Sequence, residues 1–206
     1  PSSEIKEGSF DINESNETTH FSIVDKFGNA VSITTTINGA YGSKVVVEGA
    51  GFLLNNEMDD FSVKPGYPNM FGLVGGEANA IEPNKRMLSS MTPTIIEKDN
   101  NLYMVLGTPR GSTIITSVFQ TILNVIEFKM NMLEAVSAPR FSATSNIIDV
   151  TNRIPSFVTE GLEELNYNVQ RSALTFGIAA VHGIRIKDGI MDGGADPGHD
   201  GIALSI

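Results

Sequence analysis

The chain contains no cysteine, which removes disulfides, thiolate zinc sites and a thiol nucleophile together. Any nucleophile must be an oxygen or an amine. Basic residues are also scarce: 14 Lys and Arg face 24 Asp and Glu, a net charge of −10. Such a surface repels a phosphate backbone, so no nucleic-acid partner is expected. No run of 18 apolar residues occurs, the longest candidate being broken by Gln120, Asn124 and Glu127, and no membrane span is expected. Neither an initiator Met nor an apolar leader precedes Pro1, so the sequence reads as a piece of a longer chain whose targeting segment lies elsewhere.

What is present suits a folded domain. The 206 residues are 41% hydrophobic and 18% charged, a globular composition. A chain of this size buries roughly 70% of the surface that its unfolded form exposes. Residues 1–17 differ from the rest, with five acids (Glu4, Glu7, Asp11, Glu14, Glu17), one base (Lys6) and few large apolar side chains. They read as a flexible acidic tail ahead of a domain over 18–206.

From Thr18 the pattern predicts a β-hairpin, with THFSIVDK and AVSITTTI separated by Phe27-Gly28-Asn29. A long Gly- and Pro-rich stretch follows from Asn38 to Gly76, the kind of irregular segment that is usually functional. A second hairpin is predicted over Pro93–Glu97 and Asn101–Gly107. Apolar residues at Ile114, Val118, Ile122 and Ile126 then predict a helix over 113–128 with Ser112 as N-cap, and Asn131 with Glu134 marks the start of a shorter one. A third helix is predicted near Pro155–Leu165, with strands at 168–171, 177–187 and 201–205. Strands, then helices, then strands favour an α+β fold with antiparallel sheets.

Thr18-Thr19-His20 lies where the acidic tail meets the hairpin. A threonine freed as an N-terminus carries its own base: an α-amine of pKa ~7.7–8.0, against ~10.4 for lysine, can take the hydroxyl proton. As an amide that nitrogen has no basicity, so cutting Glu17-Thr18 would switch on the chemistry. Taken alone, these residues are better read as a pair of threonines that simply start a strand.

The wider pattern is more specific. Thr18-Thr19-His20-Phe21-Ser22, Thr34-Thr35-Thr36-Ile37-Asn38, Leu53 to Phe61, Pro83-Asn84-Lys85-Arg86, Leu88 to Thr94 and Gly107 to Ser112 together resemble the small subunit of the γ-glutamyltranspeptidases, from Thr18 to the end of the sequence. The resemblance implies an N-terminal-nucleophile hydrolase: an αββα sandwich completed by a large subunit from the same precursor. It implies γ-glutamyl transfer and hydrolysis from glutathione and related amides to water, amino acids or peptides, after autocatalytic cleavage at Glu17-Thr18. A periplasmic or extracellular location is implied too, and no cofactor or metal.

By the same resemblance Thr18 is the nucleophile and Thr36 tunes its hydroxyl. Asn38, Glu57 and Asp60 hold the α-amino group of the γ-glutamyl moiety, an assignment that suits an ammonium with three donors. Ser89 and Ser90 contact the α-carboxylate, and Arg110 and Gly111 supply oxyanion donors. The family usually has two glycines where this chain has Arg110-Gly111. An Arg110 with φ below zero would keep its N–H in place, and its guanidinium is expected to reach toward a substrate carboxylate, favouring acidic or polyglutamyl donors. Pro65 to Gly76 resembles the family's lid loop; Phe71 stands where relatives often have Tyr, so a lid hydrogen bond to Asn38 is expected to be missing. The motif Gly193-Gly194-Ala195-Asp196-Pro197 continues with Gly198 where the family often has Arg. Alternatives in keeping with the sequence are a glutaryl or cephalosporin-type acylase, a polyglutamate-directed transpeptidase of the same fold, and an inactive, unprocessed piece.

Overall fold

A computed structural model describes residues 18–143 and 147–206; the acidic segment 1–17, and with it the expected tail, lies outside the described residues. Strands β1 (Thr19–Val24) and β2 (Ala30–Thr35) form the first hairpin, antiparallel with Thr19 opposite Thr35. Its turn is organised by the Asp25 carboxylate, which accepts the N–H groups of Phe27 (2.8 Å) and Asn29 (2.9 Å), while Gly28 takes φ +86°. The irregular stretch that follows holds only two-residue strands, β3 (Val46–Val47) and β4 (Phe52–Leu53), and 3₁₀ turns at Glu57–Asp60 and Glu77–Asn79.

The second hairpin comprises β5 (Thr94–Lys98) and β6 (Asn101–Gly107). Asp99 and Asn100 between them both have positive φ, 51° and 61°, the two-residue turn that matches strand twist. Helices α1 (Ile114–Ile126) and α2 (Met132–Ser137) come next, then short strands β7 (Phe141–Ser142) and β8 (Ile147–Val150), helix α3 (Ser156–Glu164), and strands β9 (Asn168–Arg171), β10 (His182–Lys187) and β11 (Ile190–Ala195). The start of α2 carries the full capping box: Asn131 accepts from the Glu134 N–H and the Glu134 carboxylate accepts from the Asn131 N–H, both at 2.9 Å.

The central sheet runs β11-β10-β6-β5, antiparallel throughout. Alternation along β6 divides its two faces. Met104 and Leu106 point to the helices, closing a core with Ile114, Val118 and Val125 of α1 and Met132, Ala135 and Val136 of α2. On the opposite face the β1–β2 hairpin packs across β10, β6 and β5. Helices, sheet and sheet thus make three stacked layers of the sandwich.

The hairpin's faces are inverted relative to a hairpin that covers a core with its apolar side. His20, Ser22, Ser32 and Thr34 face the central sheet, whereas Phe21, Ile23, Val31 and Ile33 are on the outside, at 40%, 53%, 42% and 39% exposure. They form cross-strand pairs, Phe21 with Ile33 and Ile23 with Val31. A contiguous apolar sheet face of this kind is what a further layer covers.

Several elements depart from the pattern expected. The strand expected at 177–187 starts only at His182, no strand forms at 201–205, and β11 appears where three of six residues are Gly or Asp. The Asp188-Gly189 turn, with φ of 52° and 76°, folds β11 back on β10 and so overrides its weak local propensity. Ser112 is not the cap of α1, because a 3₁₀ turn over Gly111–Thr113 leads into the helix. One small pairing, β8 with β9, is parallel.

Candidate active site

The register of the first hairpin determines what lies at its open end. Since Thr19 pairs with Thr35, the residues just outside, Thr18 and Thr36, face each other, and the Thr18 hydroxyl donates to Thr36 Oγ1 at 2.9 Å. Thr18 is buried, at 7% exposure. Thr36 Oγ1 also accepts the Asn38 N–H at 2.9 Å, so it receives two hydrogen bonds, the capacity of a hydroxyl oxygen. Asn38 has φ +72°, a conformation that Asn tolerates better than most residues. Its amide donates to the Asn56 carbonyl at 3.3 Å, and Asn56 Oδ1 in turn accepts the Gly39 N–H at 2.8 Å.

Thr18 and Thr36 open onto a cavity of about 340 Å³. It brings together Asn38, Asp60, Phe71, Ser89, Ser90 and Gly111 of the expected set. Glu57 and Arg110 are not on its wall. Glu57 lies behind Asp60 on the same 3₁₀ turn, hydrogen-bonded to it. Burial, then the hydrogen bond and charge of Asp60, push the Glu57 carboxyl up to about 7. Burial also raises Asp60, with Asp59 adding repulsion. Two carboxyls that resist losing both protons make a site where an arriving cation is favoured.

Arg110 departs most from expectation. Its φ is +90°, not negative, and Gly111 follows at +50°, so a side chain occupies a glycine conformation. The guanidinium is engaged away from the cavity, donating to the carbonyls of Gly177 (2.8 Å) and Phe176 (3.4 Å). That contact holds the residue in a conformation that its Cβ disfavours. The chain two residues earlier is anchored too, since buried Thr108 accepts the Ala180 N–H at 2.8 Å. Gly111 begins the 3₁₀ turn ahead of α1, where backbone N–H groups have no partner within the helix.

His20 ties the two strands of this site together. Its ring lies against Gly107, where an added Cβ would sit 2.3 Å from the imidazole. Its nitrogens meet the hydroxyls of Thr34 (2.8 Å) and Ser22 (3.0 Å). Burial, followed by repulsion from His182, lowers its pKa to about 4, so the ring is neutral at ordinary pH. The rings of His182 and His199 are 5.7 Å apart, yet among the described residues no group of three or more His, Asp or Glu side chains is placed to hold a metal.

The segment from Pro65 to Gly76, expected to be the lid, is a small folded unit. Gly66 N–H reaches the Gly75 carbonyl (2.8 Å), and Asn69 Oδ1 accepts from both Phe71 and Leu73 (3.0 Å each). It does contact Asn38, through the residue before Phe71: the Met70 sulfur is 4.0 Å from the Asn38 amide and 3.6 Å from that of Asn56. The Met70 N–H donates to Asp59 at 3.0 Å. The tie to Asn38 is therefore displaced by one residue.

Two positions were not picked out from the sequence. Asn79 donates to the Asp60 carbonyl (2.7 Å) and accepts the Leu88 N–H (2.9 Å), joining the acidic turn to the Ser89-Ser90 segment. No local signal marks it, because its partners lie 19 residues before and 9 after it. Arg140 is buried with Asp196, donating to it and to the carbonyls of Val136 (2.6 Å) and Ile178 (2.9 Å). The Asp in the Gly193–Pro197 motif could have prompted a search for its partner. Gly198 N–H binds the same Asp196 carboxylate at 2.8 Å.

Stacked antiparallel sheets with a threonine at the head of a strand, its hydroxyl turned into a cavity, define the N-terminal-nucleophile hydrolase fold. The sequence profile of the gamma-glutamyltranspeptidase family matches residues 1–206, and the chain belongs to that family. It is 47% identical over 198 residues to the glutathione hydrolase proenzyme of Escherichia coli and 44% identical to that of Pseudomonas aeruginosa, with 96% and 94% of this chain covered. The chain spans about a third of the length of these curated relatives, 34% and 35%. A solved gamma-glutamyltranspeptidase from Pseudomonas nitroreducens superposes with a TM-score of 0.85 at 44% identity, covering 91% of this chain and 99% of that one.

Proposed function

We propose that this chain is the nucleophile-bearing part of a γ-glutamyl transferase and hydrolase that matures by cutting itself at Glu17-Thr18. The observation that carries the reading is the Thr18–Thr36 hydroxyl pair on the wall of a cavity that Asp60, hydrogen-bonded to Glu57, also lines. In the precursor, Thr18 Oγ1 attacks the Glu17 carbonyl; the amide becomes an ester, water releases residue 17, and the Thr18 amine is set free. That amine then serves as base. It takes the hydroxyl proton as Oγ1 attacks a γ-glutamyl amide, and hands it to the departing amine.

Gly111, on the cavity wall, offers its backbone N–H to the oxyanion. The ester left on Thr18 passes its acyl group to water, an amino acid or a peptide. Asn38 and Asp60 receive the donor's ammonium, with Glu57 hydrogen-bonded to Asp60 adding to the acidic pole, and Ser89 and Ser90 receive its α-carboxylate. A glutaryl donor lacks the ammonium and would leave the acids unpaired. The exposed Phe21-Ile23-Val31-Ile33 face is where a large subunit would add the fourth layer. The family resemblance supports a place outside the cytoplasm, in the periplasm or beyond the cell.

The test is Thr18→Ala in the complete precursor. We expect loss of chain cleavage by mass spectrometry and a fall of at least about 10³-fold in γ-glutamyl-p-nitroanilide turnover. Cleavage or full turnover in the variant would overturn the reading.

A further inference from the structure

We propose that Lys64, held by Tyr67 at the base of the lid, is a binding site for a carboxylate on the half of the ligand that departs from, or arrives at, Thr18. The inference rests on the γ-glutamyl reading above and concerns what lies beyond the scissile amide.

Lys64 is not an unconstrained surface lysine. Lys64-Pro65-Gly66-Tyr67 forms a tight turn, with the Tyr67 N–H on the Lys64 carbonyl at 3.0 Å and Gly66 at φ +83°. Pro at the second position and Gly at the third are what this turn type requires. The turn is in turn held to the other end of the lid by the Gly66 N–H on Gly75. It sets the first and fourth side chains side by side, and the Lys64 ammonium sits 3.6 Å from the centre of the Tyr67 ring, close enough for cation–π attraction.

The charges on the cavity wall divide by sign. Among the described residues, Asp59, Asp60 and Lys64 are the only charged side chains lining it. Asp59 is occupied by the Met70 N–H, Asp60 and Glu57 make the cation-binding pole, and no ion pair of the described residues involves Lys64. A ligand that satisfies every pole carries an ammonium for the acids, a carboxylate for Ser89 and Ser90, and a second anionic group for Lys64. In a γ-glutamyl peptide that second group is the carboxylate at the far end of the leaving portion. The aromatic and aliphatic wall around it, from Tyr67, Pro68 and Val74, suits a short peptide stem.

The experiment uses mature enzyme made from the full precursor, with glutathione and its glycine ethyl ester as donors. They share the γ-glutamyl half and differ only in the charge of the leaving half. Wild type is expected to favour the acid over the ester in kcat/KM by about fivefold, through KM. Lys64→Gln should abolish that preference while leaving the ester's constants unchanged, and Lys64→Arg should keep it. An unchanged preference in Lys64→Gln, or a parallel fall for both donors, would overturn the proposal, the latter placing Lys64 in lid structure alone. Absence of turnover of either donor by wild type would instead remove the γ-glutamyl reading, and this inference with it.

Discussion

The two ends of the cavity, the one proposed to carry the nucleophile and the one proposed to hold the ligand, are built by different means. Thr18 and Thr36 are set by a β-ladder: once Thr19 pairs with Thr35 there is one place for them to be. Asn38, Asp60, Ser89 and Ser90 come from loops and 3₁₀ turns joined by side-chain to main-chain hydrogen bonds through Asn56 and Asn79. The two threonines thus sit on a cooperative frame, while the loop residues proposed for recognition rest on single contacts that can be changed one at a time.

That contrast can be attacked from the rigid side first. Gly107→Ala drives a Cβ into the buried His20 ring, and we expect a loss of about 3 kcal/mol in stability, read from urea unfolding, with activity falling in step. A stable variant with normal turnover would show that the strands are not in contact as described. On the loop side, Asn79→Ala removes two hydrogen bonds but leaves the Thr18–Thr36 pair alone. KM for a γ-glutamyl donor should rise about tenfold with kcat within about twofold; a loss confined to kcat would break the division between the two ends.

The smallest effect is expected from pH. Glu57 titrates near 7, so as pH rises through that value the acidic pole gains a charge and donor KM should fall, by about threefold between pH 6 and 8. Glu57→Gln should flatten the profile. The stability contribution runs the opposite way: a carboxyl whose pKa is raised by folding favours the folded state fully below about 4.5 and loses that contribution as pH rises through 7. A KM profile that Glu57→Gln leaves unaltered would remove Glu57 from the ligand-binding end.

Legibility in the sequence follows the same division. Both hairpins, the helix periodicity and the Asn131–Glu134 capping box lie in short windows and could be read directly, as could the meeting of Thr18 with Thr36 once the hairpin was placed. The orientation of Arg110 could not, because its partners are the carbonyls of Phe176 and Gly177, 66 and 67 residues away. Asn79 and Met70 were hidden for a similar reason: each acts through contacts across a loop with no periodicity to betray it. β11 was obscured by its own glycines, which weaken local propensity but admit the close approach of α2, where a Cβ at Gly194 would lie 2.9 Å from Leu133 backbone.

The imidazole between β1 and β6 is more than a polar filler. An aromatic ring cannot be compressed, and this one is held on edge by hydroxyls while its face rests on a residue with no side chain. It acts as a gauge block: the gap between the threonine strand and the turn after Gly107 is one ring thick, and neither strand can creep toward or away from the other without first dislodging the plate.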